Sequence, residues 1–248
     1  MNLFAEALAW LFSPDRLTGS QPIPLRLTEH LFFTFISVAI AALIAIPIGF
    51  AIGHTGRGRE IAVGISGAAR ALPSFGLILL LISLIGTTRN AEGAITAFVL
   101  LGIPSILAGA YAGIEAVDRR TVDAARAIGM TEWQILWKVE VPLGLPLLIG
   151  GIRSAALQVI ATATLAAYVA LGGLGIYIFR GIPLRNYDEM LGAALLIAAL
   201  ALAIDALFAL VQILVTPRGV AAGRPREVRA ASPRRRAVMG NPVNEGKG

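Results

Sequence analysis

Five apolar runs, each near the length that crosses a lipid bilayer, leave this 248-residue chain little choice of fold class. A hydrocarbon core needs about 20 predominantly apolar residues per helix. The runs fall at 31–52, 72–86 with an amphipathic lead-in from 61, 94–114, 147–170 and 190–215. Backbone polar groups in lipid must find partners within the protein, which restricts spanning segments to helices or closed barrels. Runs of this length are helical. The chain is therefore expected to be an all-α integral membrane protein with five transmembrane helices, or six if one segment is split. The second run is the least regular, because Arg70 and Pro73 interrupt it.

Charge placement orients the spans. The stretch GHTGRGRE carries Arg57 and Arg59, the third connection carries Arg119, Arg120, Arg126 and Lys138, and eight of the 21 Lys and Arg residues follow Pro217. The other connections carry only Arg89 in one and Arg180 and Arg185 in the other. Basic residues concentrate on the cytoplasmic side, so the N-terminus is expected outside and the C-terminus inside. The net charge of +6 is thus a topological signal that calls for no nucleic-acid partner.

Residues 1–30 divide from the rest as an N-terminal interfacial segment. MNLFAEALAWLF lacks the basic start and small-residue cleavage site of a signal peptide, and Glu6 breaks its apolar pattern. Residues 31–216 form the membrane domain. Residues 217–248, rich in Pro, Gly and Arg, are expected to be a disordered basic tail that can meet anionic membrane lipid. The chain has no cysteine, and its two histidines, His30 and His54, are too far apart to suggest a zinc motif. No metal, cofactor or catalytic residue is expected.

The connection at 115–142 is the most informative stretch. Thr121 suits an N-cap with Asp123 in the first turn, and Gly129 suits a left-handed helix end. Thr131 and Gln134 have the spacing of a capping box that starts a second short helix. On that helix Trp133, Leu136 and Trp137 share a face. Exposed aromatics of this kind anchor protein interfaces, and equally sit at membrane surfaces.

This stretch resembles the permease signature of bacterial binding-protein-dependent ABC importers: Glu-Ala-Ala, three residues, Gly, nine residues, then Ile-x-Leu-Pro. Here Asp123, Ala124 and Ala125 precede Gly129 by three residues, and nine more lead to Val139, Glu140, Val141 and Pro142. Asp replaces Glu, and valines replace Ile and Leu. The resemblance implies a type I importer core in which this segment is a cytoplasmic coupling helix docked on an ATPase subunit, with Pro142 ending the motif before the next span. The chain has no phosphate-binding G-x-x-x-x-G-K-[ST] loop of its own. The implied partners are an ABC ATPase, a second permease subunit, identical or homologous, and a periplasmic or lipid-anchored substrate-binding protein.

RALPSFGLILLL, GIPSILAGAYAGIEAVD and ALGGLGIYIFRGI resemble permeases for osmoprotectants such as glycine betaine, choline, carnitine or proline betaine. Importers of methionine and other amino acids share the same core, so amino-acid transport is the alternative substrate class. Span aromatics such as Tyr111, Tyr168, Phe75 and Phe98 suit packing better than a cation-binding cage, which places selectivity in the separate binding protein. Gly172, Gly173 and Gly175 suit a turn at the outer face.

Four residues are candidates for the pathway or its scaffold. Pro73 and Ser74, like Pro104 and Ser105, join a helix-loosening proline to a hydroxyl at membrane depth. Arg153 and Asp205 are ionisable residues inside spans, where a functional role is the default expectation. Arg153 suits snorkelling to the cytoplasmic surface; Asp205 suits pairing with Arg70 or Arg153, or lining a cationic path. An ion-gradient-driven transporter is the competing class. A membrane enzyme lacks any constellation of His, Cys or paired carboxylates in or beside the spans.

Overall fold

The computed structural model describes residues 2–216, so the expected tail at 217–248 lies outside the described residues. Every regular element among them is helical: α1 Leu3–Leu11, α2 Asp15–Thr18, α3 Ile23–Thr55, α4 Arg59–Ala71, α5 Ser74–Ile85, α6 Asn90–Glu115, α7 Arg119–Ala127, α8 Glu132–Ile135, a π-turn Leu136–Glu140, α9 Val141–Ala163, a 3-10 turn Thr164–Val169, α10 Gly175–Leu184 and α11 Tyr187–Val215. Four continuous helical segments are long and apolar enough to cross a membrane, and the bent pair α4–α5 makes a fifth. With the bent pair counted as one span, the number is the five expected from the sequence.

Helix α6 is the centre of the bundle, with α3 on one flank and α9 on the other. Small residues set these distances. A Cβ at Gly113 would lie 2.6 Å from the Gly144 carbonyl oxygen, and one at Gly109 would lie 2.8 Å from the Gly151 Cα. The α6 and α9 backbones therefore touch, as small-residue seams allow in membranes, where dispersion replaces the hydrophobic effect as the packing force. Around the seam, Ala41, Ala45, Phe98, Ile106, Val159 and Ile160 belong to one continuous core.

Three local expectations are corrected, and the irregularity of the second span is explained. The first span starts at Ile23, which brings His30 inside the bundle, where its Nε2 lies 3.0 Å from the Ile160 carbonyl oxygen. The second span is a broken helix: Pro73 cannot continue α4, and the chain turns by 93° before α5. A further helix, α10, occupies what the hydropathy suggested was a loop; its short amphipathic pattern falls below the length of a span. Finally, Pro142 does not end a separate polar helix. A π-turn widens the helix just ahead of it, with the Val141 N–H donating to the Leu136 carbonyl, so α8 and α9 form one rod. Widening relieves the clash and the missing donor that a proline imposes on a regular helix.

At the opposite end of α9 the glycines do form a turn. Gly172 and Gly173 have φ of 83° and 77°, and the Gly173 N–H donates to Glu29 Oε2 at 2.8 Å, which Arg26 also reaches. Helix α1 packs against α11, and its Trp10 also meets Tyr177 of α10 edge-on at 5.2 Å between ring centroids.

Candidate functional site

The motif residues form a hairpin of α7 and α8. Asp118, not Thr121, caps α7, accepting from the Arg120 N–H at 2.9 Å; its ψ of 124° is non-helical as a cap requires, whereas Thr121 already lies inside the helix. Asp123 consequently lies beyond the first turn. Gly129 closes the helix as expected: at φ 87° its N–H reaches the Arg126 carbonyl and the Met130 N–H reaches the Ala125 carbonyl. This pair of bonds is the Schellman arrangement, which satisfies carbonyls that a helix end would otherwise orphan. The capping box at Thr131 and Gln134 is present in both directions, at 3.3 and 3.0 Å.

Burial divides the motif. Ala125 packs inward with Val117, Val122 and Ile135, with Val139 partly buried against them, whereas Asp123, Ala124 and Gly129 are exposed. Val141 and Pro142 are half-buried at the head of α9. Beyond Ala124 the hairpin tip presents Ile128 at 80% exposure and Trp133 at 70%. Trp133 and Trp137 pack edge to face at 5.7 Å, and Trp137 also meets Phe50 at 6.1 Å. Leu136 leaves this face for the core. Ile128 was missed in the sequence because the residue before a turn glycine carries no pattern of its own.

Charges brace the hairpin. Arg126 donates through Nε and Nη2 to Glu132 at 2.7 and 3.0 Å and through Nη1 to Asp123 at 3.1 Å. The Glu132 carboxylate and, secondarily, Asp123 hold the guanidinium pKa above its ordinary value. His54, in the last turn of α3, reaches Glu140 with Nδ1 at 2.5 Å and Glu132 with Nε2 at 3.3 Å. Beside this end lies a cleft of about 270 Å³ lined by Ile52, Gly53, Arg59, Tyr111, Glu115 and Arg119.

The other candidates do not join this site, and of them Arg153 and Asp205 meet each other. Arg153 donates through Nε and Nη2 to the two Asp205 oxygens, each at 2.5 Å, locking α9 to α11. This pairing replaces the snorkelling expectation, because Arg153 lies midway along α9 once that helix is seen to start at Val141. Pro73 and Ser74 mark the α4–α5 break instead, exposed and half-buried respectively. Next to them Phe75 packs edge-on to Tyr168 at 4.9 Å, and Tyr168 to Phe179 at 5.5 Å. Phe98 is wholly buried core.

Residues 23–219 match the family described as binding-protein-dependent transport system inner membrane component. The chain is 33% identical over 192 residues to the glycine betaine/carnitine/choline transport system permease protein OpuCB of Bacillus subtilis (strain 168), covering 77% of this chain and 88% of that protein. It is 34% identical over 198 residues to the osmoprotectant import permease protein OsmW of Salmonella typhimurium, covering 77% and 91%. Among solved structures, one of the inward-facing MetNI methionine ABC transporter superposes with a TM-score of 0.71 at 21% identity, covering 83% of this chain and all of that one.

Proposed function

The chain belongs to the binding-protein-dependent transport system inner membrane components, and on that premise we propose that it lines the path of a small osmoprotectant through the membrane. The substrate class is a zwitterionic or cationic quaternary ammonium compound such as glycine betaine, carnitine or choline. Identity above 30% to osmoprotectant permeases over most of both chains carries this reading. Likeness to the methionine transporter speaks for the fold alone.

The energy comes from an ATPase subunit that receives the α7–α8 tip. Asp123, Ala124, Ile128, Gly129 and Trp133 make the docking face, while Ala125, Val139, Val141 and Pro142 hold it in place. Trp137 supports Trp133 from behind. This division is supported by the exposure of the first set and the packing of the second. A knob must be stiff to transmit force, and the Schellman turn, the capping box and the Arg126 bridges supply that stiffness. In this reading the hairpin faces the cytoplasm, the N-terminus lies outside, and a second permease subunit completes the pathway. Substrate arrives from a separate binding protein, near the Gly172–Gly173 turn. Pro73 and Ser74 loosen the second span beside the path, and the Arg153–Asp205 pair is scaffold rather than ligand site.

The test is uptake of labelled glycine betaine into proteoliposomes holding the whole complex. Accumulation is expected only when ATP and the binding protein are both supplied. Accumulation by this chain alone under a sodium or proton gradient would overturn the reading, whereas ATP-dependent uptake of methionine instead would overturn only the substrate class.

A further inference from the structure

Glu140 is a carboxylate with a side chain only 4% exposed, and the partner the structure gives it is His54 Nδ1 at 2.5 Å. The other ring nitrogen of His54 faces Glu132 at 3.3 Å. Ionised carboxylates only accept hydrogen bonds, and a neutral imidazole has a single N–H to offer. His54 thus stands between two carboxylates, hydrogen-bonded to Glu140 through Nδ1 and within ion-pair distance of Glu132 through Nε2. Glu132 in turn holds Arg126, and Arg126 holds Asp123. Five side chains, acids alternating with bases, thus run from α7 to a buried acid inside the π-turn, and His54 is the one supplied by α3.

We propose that His54 is a positioning residue for energy coupling: it fastens the cytoplasmic end of α3 to the α8–α9 rod, so that a push on the α7–α8 tip moves both spans together. The proposal rests on the reading of that tip as the ATPase dock. Three observations favour this role over a merely local one. Helix α3 does not need His54 to end, because Gly56 at φ 69° already closes it with an N–H to the Ile52 carbonyl. The apolar contacts of α7 lie with α8 and the residues around the π-turn, so the tip rides on the rod rather than on α3. One turn back along α3, Phe50 meets Trp137 of the same rod, giving the link a second, apolar point of attachment. A π-turn is a common feature of functional sites, and here it sets Glu140 beneath the histidine.

The experiment compares variants of the full complex in proteoliposomes, with substrate transported per ATP hydrolysed as the readout. His54→Gln keeps one donor but loses the imidazole base, and it is expected to lower that ratio roughly tenfold, within the usual range of coupling between sites. His54→Arg, which restores a basic side chain with several donors, is expected to recover most of the ratio. Because His54→Gln strands a buried carboxylate, the double variant His54→Gln/Glu140→Gln is the control: it removes both the base and the acid, should assemble as the parent does, and should remain uncoupled. A double variant that transports with the parent ratio would overturn the proposal. So would a His54→Gln complex that is scarcer but, per assembled complex, fully coupled. Cross-linking from Ala124→Cys to the ATPase separates this from the docking reading. A cross-link retained in poorly coupled His54 variants supports both readings, and a cross-link with unchanged coupling removes only the role of His54. No cross-link in the otherwise active parent complex removes the dock and the proposal together.

Discussion

Ala124 and Ala125 are neighbours of the same type with opposite duties. Ala125 is 7% exposed and wedged against Ile135, while Ala124 points away from the bundle. Ala125→Leu would overpack the small cluster between α7 and α8, at a cost of about 1–3 kcal/mol. Its expected signature is a lower melting temperature of the purified subunit. Ala124→Leu should melt like the parent and yet fail to co-purify with the ATPase. Equal melting temperatures for the two variants would show that the division of the motif is wrong. No reading of the sequence separates the two alanines, since spacing identifies a motif and not the side its members face. Gly129, by contrast, was legible as a turn because only a residue tolerant of positive φ suits a helix followed at once by a capping box.

At the scale of elements, the α6–α9 seam leaves no room for a side chain. A side chain at Gly113 has the Gly144 backbone, not a movable side chain, in its way. Gly113→Val should therefore push the two helices apart, with a loss of folded protein measurable by size-exclusion chromatography in detergent. Gly64→Val, where a Cβ meets nothing within 4 Å, is the matched control and should behave as the parent. The spans were legible because lipid demands long apolar helices, and that demand leaves a clear trace in composition. Their ends were less so. The first span, α3, runs eight residues further toward the N-terminus than its apolar core, because Arg26 and Glu29 neutralise each other and His30 finds a carbonyl. Pro142 suggested a break, yet its cost is relieved by a single widened turn that no local pattern announces. Arg153 and Asp205 stand 52 residues apart, and their pairing depends on how α11 lies on α9, which is tertiary information.

At the scale of the molecule, the basic side chains of the described residues are distributed unevenly. His54, Arg57, Arg59, Arg119, Arg120 and Arg126 gather near the hairpin. The connections at the Gly173 end carry fewer basic side chains, and Arg26 and Arg180 there pair with Glu29 and Glu189 much as Arg59 and Arg126 pair with Glu115 and Glu132 near the hairpin. Reporter fusions after Gly56, Arg120 and Pro217 should therefore report the cytoplasm, and fusions after Arg89 and Arg185 the outside. A cytoplasmic signal at Arg89 together with an outside one at Arg120 would invert the orientation and take the ATPase dock with it.

The bend between α4 and α5 also reaches into the surrounding lipid. Helix α5 has 12 residues, a length of about 18 Å at the rise of an α-helix, against a hydrocarbon thickness of ~30 Å. Where α5 borders lipid, the bilayer meets a short wall, and hydrophobic mismatch is relieved by thinning, at fractions of a kcal/mol per ångström. Over a gap of ~12 Å such a cost reaches a few kcal/mol, comparable to the energy that separates conformational states. Acyl-chain length thus becomes a variable of transport. In proteoliposomes of graded thickness, uptake by the assembled complex is expected to be fastest in the thinner membranes and to decline as the chains lengthen.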